Sequence, residues 1–342
     1  MAALSPRESG KFIASCAKHV SIKSKGVQKV AKLIYPDLTK SLYSVKSWRK
    51  HELHPKEWNK ATVDWIFLLD TLNFSFWVEQ DTQPFVVKYR GKCYTGYWAL
   101  CAAINRALEN GIPITTPSYC AKITKEKLKV VFESETLTEI PLIEERVKNL
   151  NETGRILVEK YKNSFVNMLK SCNKSATALL DLITTQFPCF CDVANFQGQR
   201  VGLHKRPQIL IADIWACFEG KGFGEFSDID SLTMFADYLV PRGLQFLDVI
   251  EYSNTLQSAI NQGKHLPNKS ELEVEIRGCS IWAVELICQE LRKMQDQNCR
   301  NGNGDMVVIN AVLVDFFLWD YTKAHENTIA GFPMHKTRSI YY

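Results

Sequence analysis

The chain has 342 residues, 46% of them hydrophobic and 11% aromatic, enough apolar material for one large core or two modest ones. This excludes a disordered or low-complexity chain. A formal charge of +5 from 42 basic and 37 acidic interspersed residues suits a phosphorylated small ligand as well as a polynucleotide, and does not choose between them. Eleven cysteines, an odd number with one close pair (Cys189 and Cys191) and no CxxC, point to reduced thiols and a cytoplasmic or nuclear protein. No stretch reaches the ~18 apolar residues of a membrane span, and the opening "MAALSPRESGKFIASCAKHV" lacks a signal-peptide h-region. No membrane association is expected.

From Ser5 to Tyr35 the spacing of Phe12, Ile13, Val20, Ile22, Val27, Val30 and Leu33 predicts short helices, opened by the Ser5-Pro6 start signal. A further helix is predicted from Thr62 to Leu72. In "FVVKYRGKCYTGYWAL", β-branched and aromatic residues flank Arg90-Gly91, which predicts a hairpin, the one β element that the pattern supports, near 85–98. The segment that follows reads as a helix stopped by Gly111 and Pro113. Leu142 to Leu169, Ser175 to Thr185 and Gln208 to Glu219 are helical in period. With no repeat and no long linker, the expectation is a single domain over 1–342, mainly α with a small β insertion.

Ser270 stands three residues before Glu273, a capping-box pattern, and Val274, Ile281, Val284, Ile287, Cys288 and Leu291 then recur at helical spacing. After the polar "QNCRNGNGD" comes "VVINAVLVDFFLWDYTK", an almost unbroken apolar run that holds Asp315 in its middle and Asp320 near its end. An ionised carboxylate there is costly unless something compensates it. Two other stretches place charge in apolar surroundings, "LHKRPQILIADIW" with Lys205, Arg206 and Asp213, and "LTMFADYLVPRGL" with Asp237. A buried Lys205–Asp237 ion pair would account for part of this pattern without any function. Taken together, two carboxylates and an anion-binding base are what cleavage of a glycosidic bond in a nucleotide requires.

"VDWIFLLDTLNFSFW", "YRGKCYTGYWALCAAINRALENGIPIT", "SLTMFADYLVPRGL", "EVEIRGCSIWAVELI" and the final "HKTRSIYY" resemble the queuosine salvage proteins, the queuosine 5'-phosphate N-glycosylase/hydrolase family, over roughly residues 5 to 342. The resemblance implies hydrolysis of queuosine 5'-monophosphate to release queuine for tRNA modification, without a cofactor or metal. It also implies a fold similar to helix-hairpin-helix DNA glycosylases, with Leu266-Pro267 before the late helix and Val314-Asp315 after it. Asp315 then carries the catalytic carboxylate, as nucleophile or as stabiliser of an oxocarbenium-like sugar. Phe235 stacks on the base, Asp237 accepts hydrogen bonds from it, and Tyr238 joins them. His51 matches a ligand position, with His54 as its neighbouring alternative. Asp320 is a candidate for the aminomethyl nitrogen, although on an ideal helix it diverges from Asp315 by about 140°. Lys205, His335, Lys336 and Arg338 are candidates for the phosphate, the last three reading otherwise as a solvated basic tail.

The chain departs from the pattern at "PNKSE", which has no glycine to bring backbone N–H groups against a DNA phosphate, and at Arg242, where glutamine is expected after proline. The expected partner is a small nucleotide and no stable nucleic-acid complex. Two alternatives stand beside this reading: a base-excision glycosylase for DNA or RNA, and a non-catalytic protein that binds a modified base.

Overall fold

The computed structural model describes residues 2–79, 81–300 and 306–342. In chain order the elements are α1 (Pro6–Cys16), β1 (Val20–Ile22), α2 (Ser24–Thr39), α3 (Lys60–Thr71), β2 (Val86–Tyr89), β3 (Lys92–Thr95), α4 (Gly96–Glu109), α5 (Pro117–Cys120), α6 (Lys125–Val131), α7 (Ile143–Lys160), α8 (Phe165–Ser171) and α9 (Ala176–Gln186). They continue with β4 (Val193–Phe196), β5 (Gln199–Gly202), α10 (Lys205–Cys217), α11 (Leu239–Phe246), β6 (Ile250–Tyr252), α12 (Asn254–Asn261), α13 (Glu271–Arg300) and α14 (Ala311–Ala324). The fold is mainly α, as the periodicity predicts. It forms two compact units, one of Met1–Ser47, Asp192–Gln208 and Ile229–Arg338, the other of Trp48–Cys191, Ile209–Asp228 and Ser339–Tyr342.

The first unit is organised on α13. Ser5 caps α1 in a reciprocal box, its hydroxyl accepting from Glu8 N–H while the Glu8 carboxylate accepts from Ser5 N–H at 3.1 Å. Two glycines let α1 and α13 touch. A Cβ on Gly10 would fall 2.6 Å from Ile281, and one on Gly278 would fall 2.4 Å from Ile13, so each helix seats its isoleucine where the other has no side chain. Residues 20–22, expected as helix, are instead a strand paired antiparallel with β6, Val20 opposite Tyr252. Val20 and Ile22 fit either period, and only the distant partner decides. The α13 start also departs from expectation: Ser270 Oγ is buried without a hydrogen-bond partner, while Glu273 accepts from Lys269 N–H at 3.1 Å and is held by Arg277. A charged partner one turn along has replaced the capping serine. Part of the "QNCRNGNGD" stretch, 301–305, lies outside the described residues.

The second unit packs around α3, which is buried on every side. Phe67 stacks on Phe165 with centroids 4.4 Å apart, and Phe187 and Phe190 close the cluster. The predicted hairpin is β2–β3, turned by Arg90 and Gly91 at φ +46° and +80°, the two left-handed residues that a type I′ turn needs. A separate hairpin, β4–β5, belongs to the first unit, so β structure exceeds the single element expected. The helical stretch from Leu142 breaks into α7 and α8, because Lys162 and Asn163 take left-handed φ of +49° and +60°. Arg146, fully buried, donates to the carbonyls of Leu72, Phe74 and Pro141 and so fixes the chain leaving α3.

Candidate active site

Asp315 sits in the second turn of α14, whose start is capped by Asn310 Oδ1 accepting from Leu313 N–H at 3.0 Å. Its side chain is 4% exposed. The conflict seen in the sequence is therefore real: the carboxylate stands inside a helix that packs on α11 and α13. One interaction relieves it partly, Phe235 N–H donating to Asp315 Oδ1 at 2.8 Å.

Phe235 belongs to a buried segment, Thr233–Tyr238, which runs into α11. Its upstream end is held by buried Gln208, whose Oε1 accepts from the N–H and the hydroxyl of Thr233. Its downstream end is closed by Asp237, whose Oδ1 accepts from Leu239 and Val240 N–H at 2.8 and 2.9 Å and so caps α11 from just before its start. Tyr238 lies between, buried. The six residues from Phe235 to Val240 thus tie both acids by backbone N–H groups at one oxygen each.

The electrostatics follow from this enclosure. Burial raises the Asp315 carboxyl well above the ordinary carboxylate range, the Asp237 charge and, less, the Asp320 charge raise it further, and the Phe235 N–H and Lys205 oppose them. Asp237 is raised by burial and pulled back by Lys205, its two N–H donors and Arg277. Buried Lys205, the first residue of α10, acts on both acids, so the arrangement is a shared field and not the isolated Lys205–Asp237 pair. The middle of α11 and the last turn of α14 approach closely at Gly243, where a Cβ would fall 2.1 Å from Thr322 Oγ1.

The structure brings Lys205, Phe235, Asp237, Tyr238 and Asp315 into one neighbourhood. Asp320, five residues along a regular α14, is exposed and meets the Tyr43 hydroxyl, while its charge still raises the Asp315 carboxyl. The final basic residues are no solvated tail. His335 is 2% exposed, and burial, with Arg277 nearby, pushes its pKa down to about 3, which makes it a neutral donor or acceptor. Lys336 is half-buried and pairs by its backbone with Leu266, accepting at 2.8 Å, and Arg338 is half-buried two residues on. His51 belongs to the second unit, stacked on Trp98 with centroids 3.4 Å apart, and burial lowers its pKa. His54 is a core residue there: Nδ1 donates to Trp48 O at 2.7 Å, which leaves Nε2 to accept from the Tyr97 hydroxyl at 2.9 Å. Arg206 is buried in the first unit and Asp213 in the second. Arg242 has a structural task, donating from Nε to Phe332 O at 2.5 Å and from its terminal nitrogen to Ile329 O at 3.1 Å.

Sequence reasoning missed Arg277. Fully buried on α13, it donates from Nε to Ala236 O at 2.9 Å, to Asp192 at 2.5 and 3.4 Å, and to Glu273 at 3.1 Å. The available signal was the Glu273–Arg277 spacing of four on a predicted helix.

The family profile described as queuosine salvage protein matches residues 53–342. The chain is 52% identical to a queuosine 5'-phosphate N-glycosylase/hydrolase of Nematostella vectensis, the match covering 98% of both chains. It is 46% identical to the protein of that name from Mus musculus, over 99% of both chains, and 40% identical to that of Schizosaccharomyces pombe, over 98% of this chain and 99% of the other. With a profile match over most of its length and relatives this similar end to end, the chain belongs to the queuosine salvage protein family.

Proposed function

We propose that this chain hydrolyses the N-glycosidic bond of queuosine 5'-phosphate and releases queuine, with Asp315 acting on the sugar. The observation that carries the reading is the buried Asp315, held at one oxygen by Phe235 N–H, in a chain that matches the named hydrolases from end to end. Queuine is a 7-deazaguanine, so the ring position that an ordinary purine protonates before departure is carbon. Catalysis must then stabilise the sugar as positive charge develops on it. A carboxylate whose ionised form is disfavoured in the free protein gains most when that cation forms, which is stabilisation specific to the transition state. The second oxygen of Asp315 is the group assigned to face the anomeric carbon, as nucleophile or as counter-ion.

Base recognition falls to Phe235, Asp237 and Tyr238. The phosphate falls to Lys205, with neutral His335 as a hydrogen-bond partner and Lys336 and Arg338 beside it. Asp320 keeps the role of partner to the aminomethyl cation. We also infer a helix-hairpin-helix-like arrangement: α12, the turn through Leu266-Pro267, and α13 precede α14 and its Val314-Asp315, with Lys269 at φ +66° where a DNA-gripping hairpin carries glycine. The chain passes between its two units five times, which supports one catalytic domain. Eleven cysteines with no disulfide among the described residues suit a reducing cytoplasm.

The test compares queuosine 5'-phosphate, queuosine and queuosine-containing tRNA in one buffer, with queuine release followed by chromatography. The monophosphate is expected to turn over fastest, because the binding energy of a remote phosphate can orient the sugar over Asp315. Equal or faster release from the nucleoside or from tRNA would remove the phosphate site from this reading.

A further inference from the structure

We propose that Arg277 is a positioning residue for hydrolysis: by holding the carbonyl of Ala236 it fixes the segment that aims both Asp237 and Asp315. The inference rests on the assignment of those acids to the reaction. Its own ground is geometric. Ala236 lies between the residue that donates to Asp315 and the residue that caps α11, so a shift of its peptide moves both carboxylates together. The guanidinium is itself immobilised. Asp192 takes both terminal nitrogens, Glu273 takes one, and Glu273 in turn accepts from Lys269 N–H. Every nitrogen of the fork is used, and lysine cannot reproduce that planar pattern.

Arg277 also contributes charge. It lowers the Asp237 pKa alongside Lys205, and it helps keep His335 neutral. The groups that set the titration of the acidic pair are therefore Lys205, Arg277, Asp320 and the two acids themselves, with Asp192 just before β4 and Glu273 on α13 offsetting Arg277. This gives the proposal a signature that loss of packing cannot imitate. Removing the positive charge raises the Asp237 pKa and moves the acid limb of the kcat profile to higher pH. Removing the negative charge at Asp192 moves the limb to lower pH.

Three variants are measured on queuosine 5'-phosphate from pH 4 to 9, with folding followed by circular dichroism. Arg277→Lys keeps charge but loses the fork; kcat is expected to fall about tenfold or more, with a smaller change in KM and little movement of the limb. Arg277→Met and Asp192→Asn are expected to lower kcat and to shift the limb in opposite directions, by about one pH unit for the first. A folded Arg277→Lys with wild-type kcat would overturn the proposal. So would a limb that stays in place in whichever of the other two variants folds. Should Arg277→Met not fold, the downward shift in Asp192→Asn decides alone. Asp315→Asn, run in parallel, separates the failures: full activity there removes the assignment of the acids, whereas an inactive Asp315→Asn beside an unaffected Arg277→Lys removes only the role of Arg277.

Discussion

Replacing Asp315 by asparagine isolates its charge. Asn keeps the shape and an oxygen for the Phe235 N–H, so the 2.8 Å hydrogen bond and the packing of α14 are retained. What is lost is the attraction between a carboxylate and a cationic sugar. At about 4 Å and an effective dielectric of ~20, that attraction is about 4 kcal/mol. The same energy corresponds to roughly a thousandfold in rate. Single-turnover release of queuine from queuosine 5'-phosphate reads it directly, and a variant within about tenfold of wild type would refute the electrostatic role.

The same substitution carries a second expectation with a definite sign. In the unfolded chain an aspartate titrates near 3.9. In the folded protein Asp315 titrates higher, so above about pH 4 folding must take up a proton or accept a buried charge, and stability falls as pH rises through that window. Asn has no such penalty. The melting temperature of Asp315→Asn should exceed that of the wild type at pH 8, with the gap closing toward pH 4. A less stable variant at pH 8 would show that the carboxylate is compensated and would weaken the account of its activation.

Two further expectations concern neighbouring groups. Asp237→Ala loses both the cap of α11, about 1 kcal/mol, and a partner for the base, about 1–3 kcal/mol, whereas Asp237→Asn retains an oxygen for Leu239 and Val240 N–H; calorimetry showing unchanged queuine affinity in the folded Ala variant would remove the recognition role. His54 and His335 are buried neutral with pKa values of about 3 against 6.5 for free histidine, so each loses stability as pH falls below 6.5, on the order of 2 kcal/mol by pH 5. His54→Gln should flatten the melting profile between pH 6.5 and 4, and a slope parallel to wild type would count against burial of a neutral ring.

Much of the fold was legible because its signals are local. The Ser5-Pro6 start, the Arg90-Gly91 turn and the Gly111 stop each act within a few residues, and the structure places α1, β2–β3 and α4 accordingly. The misreadings share a cause. Val20–Ile22 became a strand because β6 lies more than two hundred residues away, and the expected Ser270 cap gave way to a Glu273–Arg277 contact that serves the buried network. In each case a long-range partner outweighed a local preference.

The same distinction runs through the site. Asp315 and Asp237 could be found because a carboxylate within an apolar run violates the pattern around it. Arg277 was missed because the Glu273–Arg277 spacing ordinarily reads as a solvated helix face, and nothing in "EVEIRG" says that this face meets Asp192 and the Ala236 carbonyl. Yet the two kinds of residue depend on each other. For the proposed role on the sugar the carboxylate must keep its place, whereas in an apolar interior it tends to relax toward any available donor. The Phe235 N–H restrains one oxygen, and the Ala236 carbonyl, fixed by Arg277, keeps that N–H from following. On the proposed reading, the buried charge at Arg277 holds the Ala236 carbonyl and with it the one N–H that restrains Asp315.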